Sequence, residues 1–446
     1  MTTTKDFIKE LFTLGLPIAS QLLLSNLVSL VSNIIVGSLG EANISATSIA
    51  STYSWLVSVF VYGCVKGASI IGAQEYGRGE TSSIKKLLSF VVMVGVVSST
   101  FFFLLTSFFA PQIMRIYTDY EEFVGPGVTY LQIVKYSFLF YGITDAVVTM
   151  LQTVRSVNVT LISSLVSCVT STVVGYALVY GKFGLPAMGI KGTAIATLLA
   201  RIFECMTVTI YLLFFDKKLN FKLKEFDPRI DKETFTQLVA ISMPILLTDV
   251  LDNFTSSAQA MITGRMSEYY LSANSIVHTS WALPSVFCWG GATAAAIMIG
   301  NSLGKHDYEQ ARLDAKRLVI TSLIIGVFCS GVVKILVPWI ASLYDVSENT
   351  VDLAYKMGKM ACINVLFISF ECIVPNGIIK ATGDTKKILY INLLGKWIIA
   401  LPLGYIGAFY LKLAPEYIYF LLRSGNIVMC IWGAMVLIKD DWMRTI

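Results

Sequence analysis

The sequence is poor in the residues on which most soluble enzymes rely. Only 14% of its 446 residues are charged, and it contains two histidines. It has no phosphate-binding loop and no HExxH zinc motif, so no enzymatic chemistry is indicated. Its eight cysteines form no CxxC pair, which argues against zinc sites and against a disulfide framework. We expect a protein that is not an enzyme and that needs no cofactor.

Hydrophobic residues are abundant instead, at 55% of the chain, and they fall into twelve long runs. Each run is close to the ~20 residues that a helix needs to cross a bilayer. This pattern predicts an all-α polytopic membrane protein with twelve transmembrane helices. The predicted spans are Leu11–Val36, Thr52–Gly72, Leu87–Ala110, Val128–Leu151, Leu161–Tyr180, Gly192–Phe215, Phe235–Ile262, Val277–Ile299, Leu318–Leu343, Ala354–Ile378, Ile388–Tyr410 and Ile418–Ile438.

The basic residues are spread over the connecting segments, so the net charge of +5 does not indicate a nucleic-acid partner. Lysine and arginine concentrate in alternate connections. Because cytoplasmic loops are enriched in these residues, the pattern predicts that both termini are cytoplasmic. We therefore expect a multi-pass protein of the cytoplasmic membrane, surrounded by lipid and acting as a monomer.

The two halves of the chain are related in sequence. A shift of 227 positions places Pro17 on Pro244 and Gly37 on Gly264, and other identities follow. Internal repeats of this kind are a common plan for transporters. The predicted organisation is an N-terminal six-helix lobe (1–215), a charged cytoplasmic linker (216–234) and a C-terminal six-helix lobe (235–446).

Acidic residues near the middle of the seventh span are the main functional signal. Asp249 and Asp252 are three residues apart and so share one helix face. Acids are costly in hydrocarbon and usually mark a transport pathway, although they can also act as neutral contacts between helices. With Asn253 and Thr255 they could supply oxygens to Na⁺, while a proton needs only a buried carboxyl. Both coupling ions remain open, with Asp252 and Asp249 as the candidate Na⁺ ligands.

Two charge pairs are predicted from the depth of residues along their spans. Lys66 and Asp145 lie at similar depths in the first half and could neutralise each other. Glu371 and Lys396 are at similar depths in neighbouring spans of the second half. The first half then has little spare negative charge, whereas the second keeps Asp249 and Asp252. We therefore expect the coupling cation to bind in the second half.

Several motifs together resemble the multidrug and toxic compound extrusion (MATE) family of antiporters. They are LPIASQLLLSNLVSLVSNIIVGSLGEANISA from residue 16, GAQEYGRGE from 72, GRMSEYYLSANSI from 264, KATGDTKK from 380 and INLLGKWIIALPLGY from 391. The resemblance implies two pseudo-symmetric six-helix lobes around a central cavity, with Na⁺ or H⁺ antiport driving the export of small organic cations.

Family members often carry acids where this chain has Ser32 and Gly175, so a cation site in the first lobe is not implied here. Asp252 and Glu371 resemble the acids of another branch of the family, in the seventh and tenth spans.

Two other functions are compatible with the sequence. A flippase for a lipid-linked precursor, from the same superfamily, would need a cavity dominated by basic residues, because its cargo is anionic. Lys66 and Lys396 are the obvious cationic candidates. A membrane scaffold or receptor that transports nothing would have no use for acids at mid-bilayer depth.

Overall fold

A computed structural model describes residues 3–37, 39–266, 268–344, 346–439 and 442–443. Within these residues all regular structure is helical, and twelve helices are long and apolar enough to cross a membrane. They are α1 (Thr4–Gly37), α2 (Ala42–Arg78), α3 (Thr81–Tyr117), α4 (Glu121–Thr153), α5 (Val157–Tyr180), α6 (Ile190–Phe215), α7 (Lys232–Thr263), α8 (Tyr269–Gly304), α9 (Tyr308–Ala341), α10 (Glu348–Thr382), α11 (Thr385–Phe409) and α12 (Pro415–Lys439).

The prediction of an all-α protein with twelve spanning helices is confirmed. The helices are longer than the apolar runs from which they were predicted. At about 1.5 Å per residue, the 37 residues of α2 extend about 55 Å, whereas the hydrocarbon core of a bilayer is about 30 Å thick. The polar ends of the helices therefore lie outside the hydrocarbon.

The chain separates into two compact units. The N-terminal unit comprises residues 20–242, and the C-terminal unit comprises residues 1–19 together with 243–446. The divisions fall inside α1 and α7, close to Pro17 and Pro244, so the start of α1 groups with the second half. The lobe boundaries predicted at 215/216 and 234/235 stay a prediction.

The connections between helices repeat from one unit to the other. Gly79 ends α2 in a left-handed conformation (φ 84°), and His306, 227 positions later, ends α8 with φ 56°. The amide of Gly79 donates to Tyr76 O at 3.2 Å, and the amide of His306 donates to Leu303 O at 2.9 Å. Both turns thus close the helix end with the same bond and a left-handed residue.

Two later connections show the same relation with a slightly larger shift. Arg155 (φ 62°) corresponds to Gly383 (φ 85°) at a shift of 228, and Phe183 (φ 58°) to Lys412 (φ 48°) at 229. The repeat therefore extends past the stretch in which sequence identities are visible. Single-residue insertions between these connections explain the change in shift.

The predicted linker belongs to the N-terminal unit and folds against helices of that unit. Lys218 Nζ donates to Val154 O at 2.9 Å and to Arg155 O at 2.8 Å, at the end of α4. Lys85 Nζ donates to Glu225 Oε2 at 2.9 Å, and this bond holds the pKa of Glu225 below its usual value. Part of the linker charge is therefore used to fix this segment to the helices.

Glycine allows the closest helix approach in the N-terminal unit. A Cβ added to Gly95 in α3 would collide with the carbonyl of Gly142 in α4. A Cβ at Gly142 would lie 2.7 Å from Ser99 Oγ and would meet the carbonyl of Gly95. Small residues at such crossings let two backbones approach, which is the usual basis of packing between membrane helices.

We expect Gly142→Ala to lower the thermal midpoint of the purified protein, since overpacking costs about 1–3 kcal/mol. Gly125→Ala is the matched control, because it lies in the same helix and a Cβ there meets nothing within 4 Å. Thermal unfolding in detergent measures both variants. Equal midpoints for the two would contradict the packing seen at this crossing.

Candidate functional site

Helix α7 carries the predicted acids of the second half. Asp252 lies eight residues after Pro244, and Asp249 lies one turn before it. Asn253 Nδ2 donates to Asp249 O and Thr255 Oγ1 donates to Leu251 O, both at 2.8 Å. The two polar side chains predicted beside Asp252 therefore bond to the backbone of their own helix.

Helix α10 changes its geometry just after Glu371. Residues Val374–Ile379 form a π-helical segment that begins next to Pro375. Because Pro375 has no N–H, the carbonyl four residues earlier, that of Glu371, lacks its usual helical donor. Asn376 Nδ2 donates to Glu371 O at 3.3 Å and fills that role. The proline and asparagine thus shape the backbone beside the acid.

Lys396 lies in a second π-helical segment, Leu393–Ala400 of α11. Its neighbour Gly395 packs on Gly425 of α12, where an added Cβ would lie 3.0 Å from Gly425 O. A Cβ at Gly425 would in turn lie 3.0 Å from Lys396 Cγ. Two glycines therefore leave space for the lysine stem between α11 and α12.

These three helices bring Asp252, Glu371 and Lys396 together. Lys396 Nζ lies 2.8 Å from Asp252 Oδ1 and 4.0 Å from Glu371 Oε1. With its amide nitrogen toward Asp252, Asn392 donates to Oδ1 and accepts from Lys396 Nζ, both at 3.2 Å. We call these four side chains the lysine cluster. The cluster contains Glu371 and Lys396, whose similar depths suggested that they could pair. It also contains Asp252, which was not predicted as a partner of Lys396.

The lysine cluster is more open on one side. The side chain of Asp252 is 38% exposed, against 10% for Glu371 and 17% for Lys396. Asp252 is therefore the most accessible charged member of the cluster. With both acids ionised and the lysine protonated, the cluster carries one net negative charge. Among the described residues, no three histidine, cysteine or acidic side chains are grouped so that they could hold a metal ion.

The predicted Lys66–Asp145 pair lies in the N-terminal unit. Asp145 is within electrostatic range of Lys66, Arg201 and Glu204. Its Oδ2 is buried without a hydrogen-bond partner among the described residues. Lys66 Nζ lies 4.8 Å from the ring centroid of Tyr62. Direct pairing of Lys66 with Asp145 stays a prediction.

Sequence reasoning missed the parts of the site that depend on helix geometry. Asn392 is four residues before Lys396, a spacing that places two side chains on one face and could have pointed to it. The sequence Pro375-Asn376-Gly377 was a signal for the break in α10. Nothing in the sequence pointed to the π-helical segment of α11.

In the part of the chain that the structure describes, twelve membrane-length helices hold charges between them, which is the pattern of a polytopic membrane transport protein. Comparison with protein families shows to which family of transport proteins the chain belongs. The MatE family model matches residues 17–177 and again 244–406, and the chain belongs to this family. The two matches begin 227 positions apart, which is the shift found within the sequence. Members of the family are transporters, not enzymes.

Curated relatives match over most of their length. The chain is 22% identical over 423 residues to the probable multidrug resistance protein NorM of Agrobacterium fabrum, covering 92% of this chain and 89% of the relative. It is 23% identical over 407 residues to the probable multidrug resistance protein YoeA of Bacillus subtilis, covering 88% and 86%. The crystal structure of the eukaryotic MATE transporter AtDTX14 has the same fold, with a TM-score of 0.84, 17% identity and coverage of 98% and 97%.

We expect removal of either Lys66 or Asp145 alone to destabilise the protein more than removal of both. A single change leaves a charge uncompensated inside the unit, whereas the double change leaves none. Thermal midpoints of Lys66→Met, Asp145→Asn and the double variant should give a coupling energy of about 1–3 kcal/mol. Additive effects would show that the two charges are not paired.

Proposed function

We propose that this chain is a cation-coupled antiporter that exports amphipathic organic cations by alternating access. A coupling cation, Na⁺ or H⁺, enters from outside and binds in the C-terminal unit at Asp252, with Asp249 and Glu371 contributing. The protein acts as a monomer in the cytoplasmic membrane, with both termini in the cytoplasm. The names of the curated multidrug relatives support the class of exported substrate.

One observation carries this proposal: acids from two different helices converge on one side chain. Asp252 of α7 and Glu371 of α10 both approach Lys396 of α11. A cation that binds these acids changes a contact between three helices, and a change in their packing is what alternating access requires. Asn253 and Thr255 use their side-chain donors within α7, so Asn253 Oδ1 and Thr255 Oγ1 keep the lone pairs with which these residues contribute to the cation site.

Coupling requires that the cation and the exported molecule prefer different states of the protein. A cation at Asp252 competes with the lysine contact and so favours the state in which α7 and α11 are farther apart. An anionic lipid-linked cargo is less well supported by these contacts. Lys396 of α11 is already bound to Asp252, and Arg201 of α6 is bound to Glu204, both at 2.8 Å. Neither cation is therefore available to an anionic cargo in this structure.

We expect an imposed ion gradient to drive export of a fluorescent organic cation from proteoliposomes, and Asp252→Asn to lose about 10- to 100-fold of that rate. Running Na⁺ and H⁺ gradients separately identifies the ion. Asp352→Asn is the control, because that acid is 65% exposed and pairs with Lys356 on its own helix.

The proposed location of the site fails if Asp252→Asn keeps gradient-driven export while Asp145→Asn abolishes it. If the wild-type protein moves no dye under either gradient, export of organic cations is wrong. A lipid-linked anionic cargo would then be tested in the same liposomes.

The proposed orientation has its own test. Because lysine and arginine concentrate on one side, a fluorescent protein fused to either terminus should be bright in bacterial cells. Alkaline phosphatase fused at the same positions should be inactive. Active phosphatase at one terminus would reverse the assignment for that end.

A further inference from the structure

Lys396 occupies the position between the acids that an added cation would take. Its Nζ lies 2.8 Å from Asp252 Oδ1, 4.0 Å from Glu371 Oε1 and 3.2 Å from the amide of Asn392. Carboxylate and amide oxygens are the ligands that hard metal cations prefer. The oxygens that would serve a sodium ion here are thus arranged around an ammonium group of the protein itself.

The lysine is held in this place by the helices around it. Its helix is π-helical over Leu393–Ala400, and the contact between Gly395 and Gly425 brings α12 close to the lysine stem. A side chain at Gly425 would meet Lys396 Cγ at 3.0 Å. The stem therefore runs through a space that is free only because a glycine faces it.

We propose that Lys396 determines ion specificity by acting as a tethered cation that excludes sodium from the Asp252–Glu371 pair. This rests on the proposed coupling site and deepens it. With the lysine present, a metal ion between the acids would meet a like charge a few ångströms away. With the lysine gone, two acids are left without their counterion, and a monovalent metal ion restores the balance. Sodium is then not the coupling ion of the wild-type chain.

Sodium binding to the purified full-length protein tests the proposal. Thermal midpoints and bound radioactive sodium are measured in detergent, with NaCl exchanged for choline chloride at constant ionic strength. We expect the wild-type protein to show no sodium-specific shift. We expect Lys396→Gln to bind sodium about 100-fold more tightly or better, since a like charge near 4 Å is removed from a site of low polarity.

Three further variants locate the effect. Lys334→Gln removes a lysine of α9 outside the cluster and should behave as the wild type. Lys396→Arg keeps the tethered charge and should still exclude sodium. Lys396→Gln/Asp252→Asn removes an oxygen ligand as well and should lose the gained binding. If Lys396→Gln does not fold, Lys396→Gln/Glu371→Gln keeps the net charge of the cluster and should still gain sodium binding at Asp252.

Sodium binding by the wild-type protein that Asp252→Asn abolishes would overturn the proposal, as would folded glutamine variants that bind no sodium. These outcomes are separate from the fate of the proposed function, because the binding assay needs no export. Failure of dye export with sodium binding gained in Lys396→Gln would refute only the export function. Sodium-driven export by the wild type would refute only the exclusion of sodium.

Discussion

The contact between Lys396 and two acids is the constraint on which the C-terminal unit depends. An ionised side chain inside a membrane protein is tolerated only when another group compensates its charge. Here one lysine serves Asp252 at 2.8 Å and Glu371 at 4.0 Å, so α7, α10 and α11 must meet at one place. The π-helical segments of α10 and α11 adjoin this place, as local departures from α-helical geometry often do at functional sites.

One charged pair of the N-terminal unit is compensated in a different way. Arg201 and Glu204 are three residues apart in α6 and form an ion pair at 2.8 Å within that helix. Arg201 also lies 5.2 Å from the ring centroid of Tyr141 in α4. A pair within one helix survives when that helix moves as a body. The lysine cluster spans three helices, and so relative motion of any one of them changes its energy.

The parts of the structure that follow from composition and periodicity could be predicted from sequence. The apolar runs predicted all twelve helices, because backbone groups in hydrocarbon must be satisfied within each spanning segment. Similar depth along neighbouring spans predicted that Glu371 and Lys396 could pair, and the structure has their charged atoms 4.0 Å apart. Lys396 also reaches Asp252 on α7, a contact that depth in neighbouring spans does not predict, because α7 and α11 are not neighbours along the chain.

Side-chain partners were harder to predict than helices, for two physical reasons. Threonine and asparagine in an apolar helix tend to bond to a carbonyl one turn back, as Thr255 and Asn253 do. Their presence beside an acid therefore has an explanation within the helix itself, and their role as cation ligands stays a prediction. A π-helical segment also shifts the register of the residues that follow it, so the partners of Lys396 cannot be found by counting along an ideal helix.

The drift of the repeat from 227 to 229 positions narrows the equivalent of each residue to one or two positions in the other half. Between the turns at Gly383 and Lys412 the shift is 228 or 229, which pairs Lys396 with Cys168 or Ser167. By the same reckoning Glu371 pairs with Thr144 or Ile143, and Asp252 pairs with Ser25. None of these three charged residues has a carboxylate or an ammonium group at the equivalent position of the other half. The two halves therefore share their helix connections but not the positions of their buried charges, since the N-terminal unit carries Asp145 and Arg201 at places that match none of these three residues.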